Sequence, residues 1–158
     1  MKSRSARRYA LLLLLIVPAA WYISVFHFQF LLIHGESMLP TYRSGSLVLL
    51  EKRVDRYERG DVVLFRAETL GRSVVKRIGA VPGDRIDVVD NALWINGSFS
   101  APLPEQDERA PFLSGAPFTI PEGYYFMLGD NLSYSIDSRF AQVGLIARDQ
   151  LRGRVLTH

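Results

Sequence analysis

Hydrophobic positions form one long continuous run near the amino terminus and a series of short runs after it. Residues 10–33 contain no Asp, Glu, Lys or Arg and consist mainly of aliphatic and aromatic residues. About 20 such residues in an α-helix span the hydrocarbon core of a bilayer. The pattern therefore predicts a transmembrane helix that anchors the chain over residues 10–33.

The short runs are bounded by Gly, Pro, Asn and Asp, which is typical of β-strands. They predict strands at residues 47–50, 62–65, 74–78, 86–89, 92–95, 124–128 and 153–156. Asp90 and Asn91 predict a hairpin turn, because both residue types tolerate left-handed backbone conformation. No other segment of about 12 residues has helical periodicity. We expect an all-β, antiparallel domain over residues 34–158.

One stretch interrupts this pattern of strands. Residues 97–117 contain four prolines, two glycines and charges of both signs. Such a composition favours a surface segment whose backbone groups are solvated. We expect a small irregular insertion there.

Basic residues are concentrated before the apolar run. Lys2, Arg4, Arg7 and Arg8 lie within residues 1–9, and without them the 19 basic and 16 acidic residues nearly balance. This distribution argues against a nucleic-acid surface, and the positive-inside rule places the tail in the cytoplasm. The domain beyond the anchor should then face the other side of the membrane.

A cleaved secretory signal is the competing interpretation of the amino terminus. Residues 11–17 could form its apolar core, and Pro18-Ala19-Ala20 a weak cleavage site. The apolar run continues well past that site, however, which favours a retained anchor.

Several kinds of chemistry are excluded by the residues that are missing. The chain has no cysteine, so disulfides, thiol nucleophiles and thiolate metal sites are excluded. His27, His34 and His158 show no metal-ligand spacing. We expect neither a metal nor a cofactor.

Two residues suggest a catalytic pair. Ser37 lies in the run Gly-Glu-Ser-Met-Leu-Pro-Thr, and Lys76 lies within a predicted strand, on the same side as Val74 and Ile78. A serine needs a base before it can attack a carbonyl, and a neutral lysine can serve. The usual lysine pKa of about 10.4 must then be lowered, which an apolar surrounding without nearby carboxylates could do. Alternatively, the lysine stem is buried and its charge reaches water.

Gly35-Glu36-Ser37 also partly matches the nucleophile elbow of α/β-hydrolases. That motif requires a second glycine where Leu39 stands, and it requires alternating strands and helices. The α/β-hydrolase fold is therefore disfavoured.

Three ordered motifs resemble those of bacterial type I signal peptidases, over residues 33–146. The first is Ser-Met-x-Pro-Thr from Ser37, followed by Ser44-Gly45-Ser46. The second runs from Lys76-Arg77 to Pro82-Gly83-Asp84, after Arg59-Gly60-Asp61. The third is Gly-Asp-Asn-Leu-Ser-Tyr-Ser-Ile-Asp-Ser-Arg over residues 129–139.

The resemblance implies roles for individual residues. Ser37 would be the nucleophile and Lys76 its general base, and the hydroxyl of Ser135 would orient the lysine. Two structural ion pairs are implied, between Arg77 and Asp130 and between Asp137 and Arg139. Positions implied to contact the substrate are Ile33, Met38, Tyr42 and Val74.

One departure from the family concerns the oxyanion. Many members carry a serine two residues before the nucleophile, and this chain has Gly35 there. The backbone N–H of Ser37 is then the main donor that the resemblance implies.

The implied function is that of a membrane-bound serine endopeptidase that removes signal peptides from exported pre-proteins. Its implied partners are these pre-proteins and the lipid bilayer, but no nucleic acid. It would lie in the bacterial inner (cytoplasmic) membrane, with its catalytic domain on the periplasmic or extracellular side.

Two alternatives remain open, a specialised peptidase of conjugation or pilin maturation and a catalytically silent, membrane-anchored peptide-binding module. The presence of Ser37, Lys76 and Ser135 argues against a silent module. Self-cleaving repressors are disfavoured by the apolar run and the lack of a DNA-binding module.

Overall fold

One helix and two antiparallel sheets make up the computed structural model of the chain. It describes residues 2–105 and 108–156, without the side chains of residues 2–8, 10, 11 and 23–25. Within that part, the helix is α1 (Lys2–His27), and the strands are β1 (Phe28–Leu32), β2 (Leu47–Glu51), β3 (Val62–Ala67), β4 (Arg72–Ala80), β5 (Arg85–Val89), β6 (Ala92–Ile95), β7 (Ser98–Pro102), β8 (Phe118–Thr119), β9 (Tyr124–Leu128), β10 (Ile146–Ala147) and β11 (Leu151–Leu156). Two short 3-10 helices, Pro111–Gly115 and Arg148–Gln150, connect strands.

The larger sheet has the strand order β1-β2-β11-β3-β4-β9-β10, and the smaller one has the order β7-β6-β5-β8. Every neighbouring pair in both sheets is antiparallel. The expected mostly antiparallel β-fold is therefore confirmed. All seven predicted strands occur, as parts of β2, β3, β4, β5, β6, β9 and β11.

The apolar amino-terminal run is divided between a helix and a strand. Helix α1 ends at His27, before the anchor boundary expected at residue 33, and β1 pairs with β2 from Phe28↔Glu51 to Leu32↔Leu47. The ladder begins at the helix end, where the N–H of Lys52 donates to the carbonyl of His27 at 2.7 Å. Residues 28–32 therefore form a strand paired with β2, although their apolar character would also allow the helix to continue.

Helix α1 exposes most of its described side chains. Leu14 and Leu15 are among the apolar residues that are more than two-thirds exposed. Among the side chains that the structure describes, no helix combines the length and apolarity that membrane crossing requires. Met1 and the side chains of residues 2–8 in the predicted basic tail, together with His158, lie outside the described residues.

Residues 97–117 are more regular than expected. β7 pairs with β6 through a turn in which Asn96 and Gly97 have φ angles of 52° and 79°. Asn-Gly is a strong signal for a two-residue hairpin, because both positions require positive φ. The turn predicted at Asp90-Asn91 also has positive φ at both residues, and it joins β5 to β6.

A shared core holds the two sheets together. Phe126 and Ala80 of the larger sheet pack with Ile86 and Leu93 of the smaller one, and all four are fully buried. A separate cluster under β1 and β2 contains Met38, the residue after Ser37. The loops that carry the candidate site residues are therefore attached to closely packed strands.

We expect Phe126→Ala to lower the free energy of unfolding by about 4 kcal/mol, because it leaves a cavity where the two sheets meet. Phe99→Ala is the matched control, since Phe99 is 59% exposed on the smaller sheet. It should cost about 1 kcal/mol or less. Denaturant unfolding in non-ionic detergent measures both, and equal losses would contradict the shared core.

Candidate active site

An open groove of about 470 Å³ runs between the start of β4 and the segment that leads out of β1. Residues 31–38 line one wall and residues 72–76 line the other, with Leu64, Leu70, Tyr134 and Ile136 completing it. Ser37 and Lys76 thus lie in one groove, although 39 positions separate them in the sequence. Both strands present open edges here, because β1 ends the larger sheet and β9 pairs with β4 only from Arg77 onward.

Ser37 lies in a turn whose two ends are joined by backbone hydrogen bonds. Ile33 makes two backbone hydrogen bonds with the residues just before β2. Its N–H donates to the carbonyl of Ser46 at 2.9 Å, and its carbonyl accepts from the N–H of Gly45 at 2.8 Å. Met38 is 1% exposed in the core beneath the turn. A buried side chain next to the serine restricts how far the serine can move.

Asn131 of the 129–139 loop also holds the turn that contains Ser37. Its backbone N–H donates to the carbonyl of Ser37 at 3.0 Å, and its side-chain amide donates to the carbonyl of Glu36 at 3.2 Å. Two consecutive carbonyls of the turn are thus fixed by one residue of the 129–139 loop.

Lys76 is 4% exposed and lies opposite the fully buried Val63 of β3. Burial lowers the pKa of its amine from 10.5 to about 8, because desolvation disfavours the ammonium. The charges of Arg72 and Arg139 lower the pKa further, whereas Asp137 and, more weakly, Asp130 raise it. The expectation that no carboxylate lies nearby was therefore wrong, but the effect of burial is larger.

Asp137 and Arg139 form an ion pair inside the protein. Asp137 is fully buried and Arg139 is 3% exposed, and the Nε of Arg139 donates to Asp137 at 2.8 Å. The guanidinium also donates to the carbonyls of Pro102, Leu132 and Ser135. The carboxylate accepts a 3.0 Å hydrogen bond from the N–H of Gly129. These bonds satisfy both charges and fix the path of the 129–139 loop.

Gly129 brings the backbone of Ser37 and the side chain of Ser135 together. A Cβ at Gly129 would lie 2.2 Å from the Oγ of Ser135 and 2.7 Å from the carbonyl oxygen of Ser37. Such distances are far below van der Waals contact, so only glycine fits here. The Oγ of Ser135 is buried and has no hydrogen-bond partner among the described residues. A buried hydroxyl without a partner is costly, and such groups often have a catalytic role.

A second ion pair lies next to the first motif. Arg77 donates to Asp130 from Nε at 2.8 Å and from Nη2 at 2.6 Å. Burial favours the neutral acid, but hydrogen bonds from Arg77 and Thr41 outweigh it and lower the pKa of Asp130. Since Thr41 lies four residues after Ser37, this pair joins the serine turn to β4.

The predicted substrate-contacting residues do not all lie together. Ile33, Met38 and Val74 line the groove. Tyr42 does not: its ring packs against the core under β1 and β2, and its hydroxyl is buried without a partner among the described residues. A tyrosine two positions after a proline gives no sequence signal for the direction of its side chain.

Sequence reasoning assigned no role to several residues of this site. Tyr134 and Ile136 are exposed at the groove, and Asn131 and Gly129 contact the serine turn. All four belong to the third motif, but only the folded loop shows what each contacts. Arg72 was missed because a basic residue at a strand start is common. Among the described residues, no group of His, Asp and Glu could hold a metal ion.

A serine that shares a groove with a buried lysine of lowered pKa is an arrangement suited to nucleophilic attack on a carbonyl. The family model described as "Signal peptidase, peptidase S26" matches residues 6–158. This chain therefore belongs to the signal peptidase S26 family.

Two sequence relatives agree with that assignment. Signal peptidase I T of Bacillus subtilis (strain 168) is 35% identical over 148 residues, covering 87% of this chain and 76% of the relative. Signal peptidase I of Bacillus licheniformis is 31% identical over 163 aligned positions, covering 96% and 87%. A crystal structure of a signal peptidase I from Enterococcus faecalis V583 has 28% identity and a TM-score of 0.49, covering 66% of this chain and all of that one.

We expect Lys76→Met to raise the free energy of unfolding at pH 7 by roughly 3 kcal/mol, because the folded protein no longer has to desolvate an ammonium. The folded-state pKa of about 8 lies below the unfolded value of 10.5. In the wild type, the free-energy cost of burying the Lys76 ammonium is therefore full below about pH 8, and it disappears as the pH rises towards 10.5.

Denaturant unfolding of both proteins at pH 7 and pH 10 measures this difference, with Lys52→Met as the control for a lysine outside the groove. A stability gain that is equal at the two pH values would show that Lys76 is not held in a desolvating environment.

Proposed function

We propose that this protein is a membrane-bound serine endopeptidase that removes signal peptides from exported pre-proteins. One observation carries the proposal: Ser37 shares a groove with a lysine whose pKa is lowered to about 8. The two sequence relatives named above are both signal peptidase I enzymes.

In this mechanism, the Oγ of Ser37 attacks the carbonyl carbon of the residue before the scissile bond. Its proton passes to the neutral Nζ of Lys76, which then gives it to the leaving amine as the peptide bond breaks. A water molecule then loses a proton to Lys76 and attacks the acyl ester, and Lys76 returns that proton to the Oγ of Ser37 as the ester bond breaks. The lysine thus acts as a base and then as an acid in each half of the reaction, and the pH determines the fraction of the free enzyme in which it is neutral at the start.

Two groups would support the reacting atoms. The buried hydroxyl of Ser135, which has no hydrogen-bond partner among the described residues, is suited to orient the amine of Lys76 by a hydrogen bond. The backbone N–H of Ser37 would donate to the oxyanion, which costs no reorganisation because the turn is fixed by Asn131 and Met38. Gly129 keeps the space between these groups open.

The substrate would bind as an added strand between the open edges of β1 and β4. Extended peptides pair with exposed strand edges through their backbone, and side-chain pockets then give specificity. Ile33, Met38 and Val74 line the groove and provide apolar contacts for a small side chain before the cut.

We further propose that α1 lies in the inner (cytoplasmic) membrane, with the basic tail in the cytoplasm and the catalytic domain on the exported side. The helix has 26 residues, so its length is about 39 Å, more than the hydrocarbon core of a bilayer. Its described side chains from Leu12 to Val17 are apolar and exposed. Because β1 follows directly, the groove would lie near the membrane surface.

We expect Ser37→Ala and Lys76→Arg each to lower kcat/KM for a precursor with an Ala-x-Ala site by at least about 10³-fold. The first removes the nucleophile, and the second keeps the charge but cannot accept a proton. Purified variants in detergent can be compared with the wild type by gel shift of the precursor.

His34 is the rival base, because it also lines the groove. His34→Gln should retain most of the activity. Turnover by Lys76→Arg near the wild-type rate would rule out the lysine as the base. Correctly folded wild-type protein without any cleavage would favour the silent peptide-binding module.

The pH profile of kcat/KM should follow the deprotonation of Lys76. Because its folded-state pKa is about 8, activity should fall about tenfold for each pH unit below that value and level off above it. Steady-state cleavage of a quenched peptide from pH 6 to pH 10 measures the profile. A flat profile, or a midpoint near the usual lysine pKa of about 10.4, would contradict a desolvated base.

A further inference from the structure

Arg72 introduces a positive charge at one end of the groove. It is the first residue of β4, it is exposed, and it lines the same groove as Ser37 and Lys76. Within residues 2–105 and 108–156, no carboxylate forms an ion pair with its guanidinium. A cation without an acidic partner, beside an open strand edge, is available to a ligand in the groove.

The sheet order determines which end of the groove Arg72 occupies. β1 and β4 are separated by β2, β11 and β3, and each step between neighbours is antiparallel. Four antiparallel steps make β1 and β4 parallel to each other. Leu31 and Arg72 therefore mark one end of the groove, and Ser37 and Lys76 mark the other.

The distance along the strand determines which part of a substrate lies near Arg72. Lys76 lies four positions after Arg72 in the extended strand, a distance of about 13 Å. An extended peptide in the groove has the same rise, so its residue near Arg72 is about four positions from the one at the reacting serine. The Arg72 end lies towards the start of β1 and the end of α1.

That end would receive the part of the substrate that precedes the cut, because a signal peptide reaches the groove from the membrane side. This assignment rests on the proposed function. Among the described residues that line the groove, Glu36 is the sole acid, and it lies beside Ser37 at the opposite end. No negative charge in the groove wall therefore offsets Arg72 locally.

The field of Arg72 extends along the groove. The pKa of Lys76 is lowered mainly by burial, and the charge of Arg72 lowers it further from four residues away. A charged substrate side chain closer to the guanidinium would experience a larger effect, since the interaction grows as the distance falls.

We propose that Arg72 selects substrates by charge, favouring pre-proteins with an acidic side chain four to six residues before the cut and disfavouring those with a basic one there. Arg72 is then a specificity-determining residue of the proposed peptidase. An acidic side chain there gains an exposed ion pair, whereas a basic one meets a like charge.

The experiment uses the full chain in non-ionic detergent and three quenched peptides. The peptides share an Ala-x-Ala site and differ only in Asp, Asn or Lys five residues before the cut. The ratio of kcat/KM for the Asp and Lys peptides is measured at low salt for the wild type, Arg72→Gln and Arg72→Glu. Because each ratio is taken within one enzyme, any change in the pKa of Lys76 cancels.

We expect a ratio of about five for the wild type, about one for Arg72→Gln and an inverted ratio for Arg72→Glu. Added salt should bring all ratios towards one. Arg152→Gln is the matched control, because Arg152 is an exposed strand arginine outside the groove, and it should keep the wild-type ratio.

Each other outcome has a separate meaning. If the wild type cuts all peptides and the ratio is the same in every Arg72 variant, the inference is overturned and the proposed function stands. If Arg152→Gln shifts the ratio equally, net charge and not Arg72 is responsible. A preference that appears only in vesicles of anionic lipid would assign Arg72 to lipid headgroups. Failure of the wild type to cut the Asn peptide would count against the proposed function itself.

Discussion

The buried ion pair between Asp137 and Arg139 is the interaction on which the candidate site depends. It fixes the 129–139 loop, which places Gly129 against the carbonyl of Ser37 and brings the hydroxyl of Ser135 beside it. A buried pair rarely adds much stability, because desolvation cancels most of the Coulomb attraction. Here the guanidinium also binds three backbone carbonyls, one of them in β7 of the smaller sheet. The pair therefore contributes a defined loop conformation more than it contributes stability.

The two charges of this ion pair have opposite effects on the pKa of Lys76, which Asp137 raises and Arg139 lowers. Asp137 stabilises the ammonium form, whereas the fold needs the neutral amine if the lysine is to act as a base. Two features counter this effect. Arg139 neutralises the carboxylate through hydrogen bonds, and β3 and β4 exclude water from the lysine, which is 4% exposed. Desolvation is therefore the larger effect. A group kept in an unfavourable environment lowers the stability of the fold, as expected where function requires it.

Local patterns in the sequence predicted most strands but not the contacts between distant segments. Alternation and turn residues identified seven strands and the hairpin at Asp90-Asn91, because these depend on neighbouring residues. β1 was missed because its apolar residues continue the helix without a break, and only pairing with β2 distinguishes them. Motifs in the sequence marked Ser37 and Lys76 as candidate site residues. The hydrogen bonds of Asn131 and the position of Tyr42 depend on how a loop folds against a strand far away in the sequence.

The larger sheet also links α1 to the candidate site without an intervening loop. β1 begins at the residue after α1 ends, and the serine turn follows it within a few residues. Five paired residues of β1 extend over about 17 Å, and their ladder to β2 makes this segment rigid. If α1 lies in the bilayer as proposed, Ser37 is held at a constant height above the membrane surface. The length of β1 would then determine how far from the bilayer a substrate must emerge before its peptide bond reaches the serine.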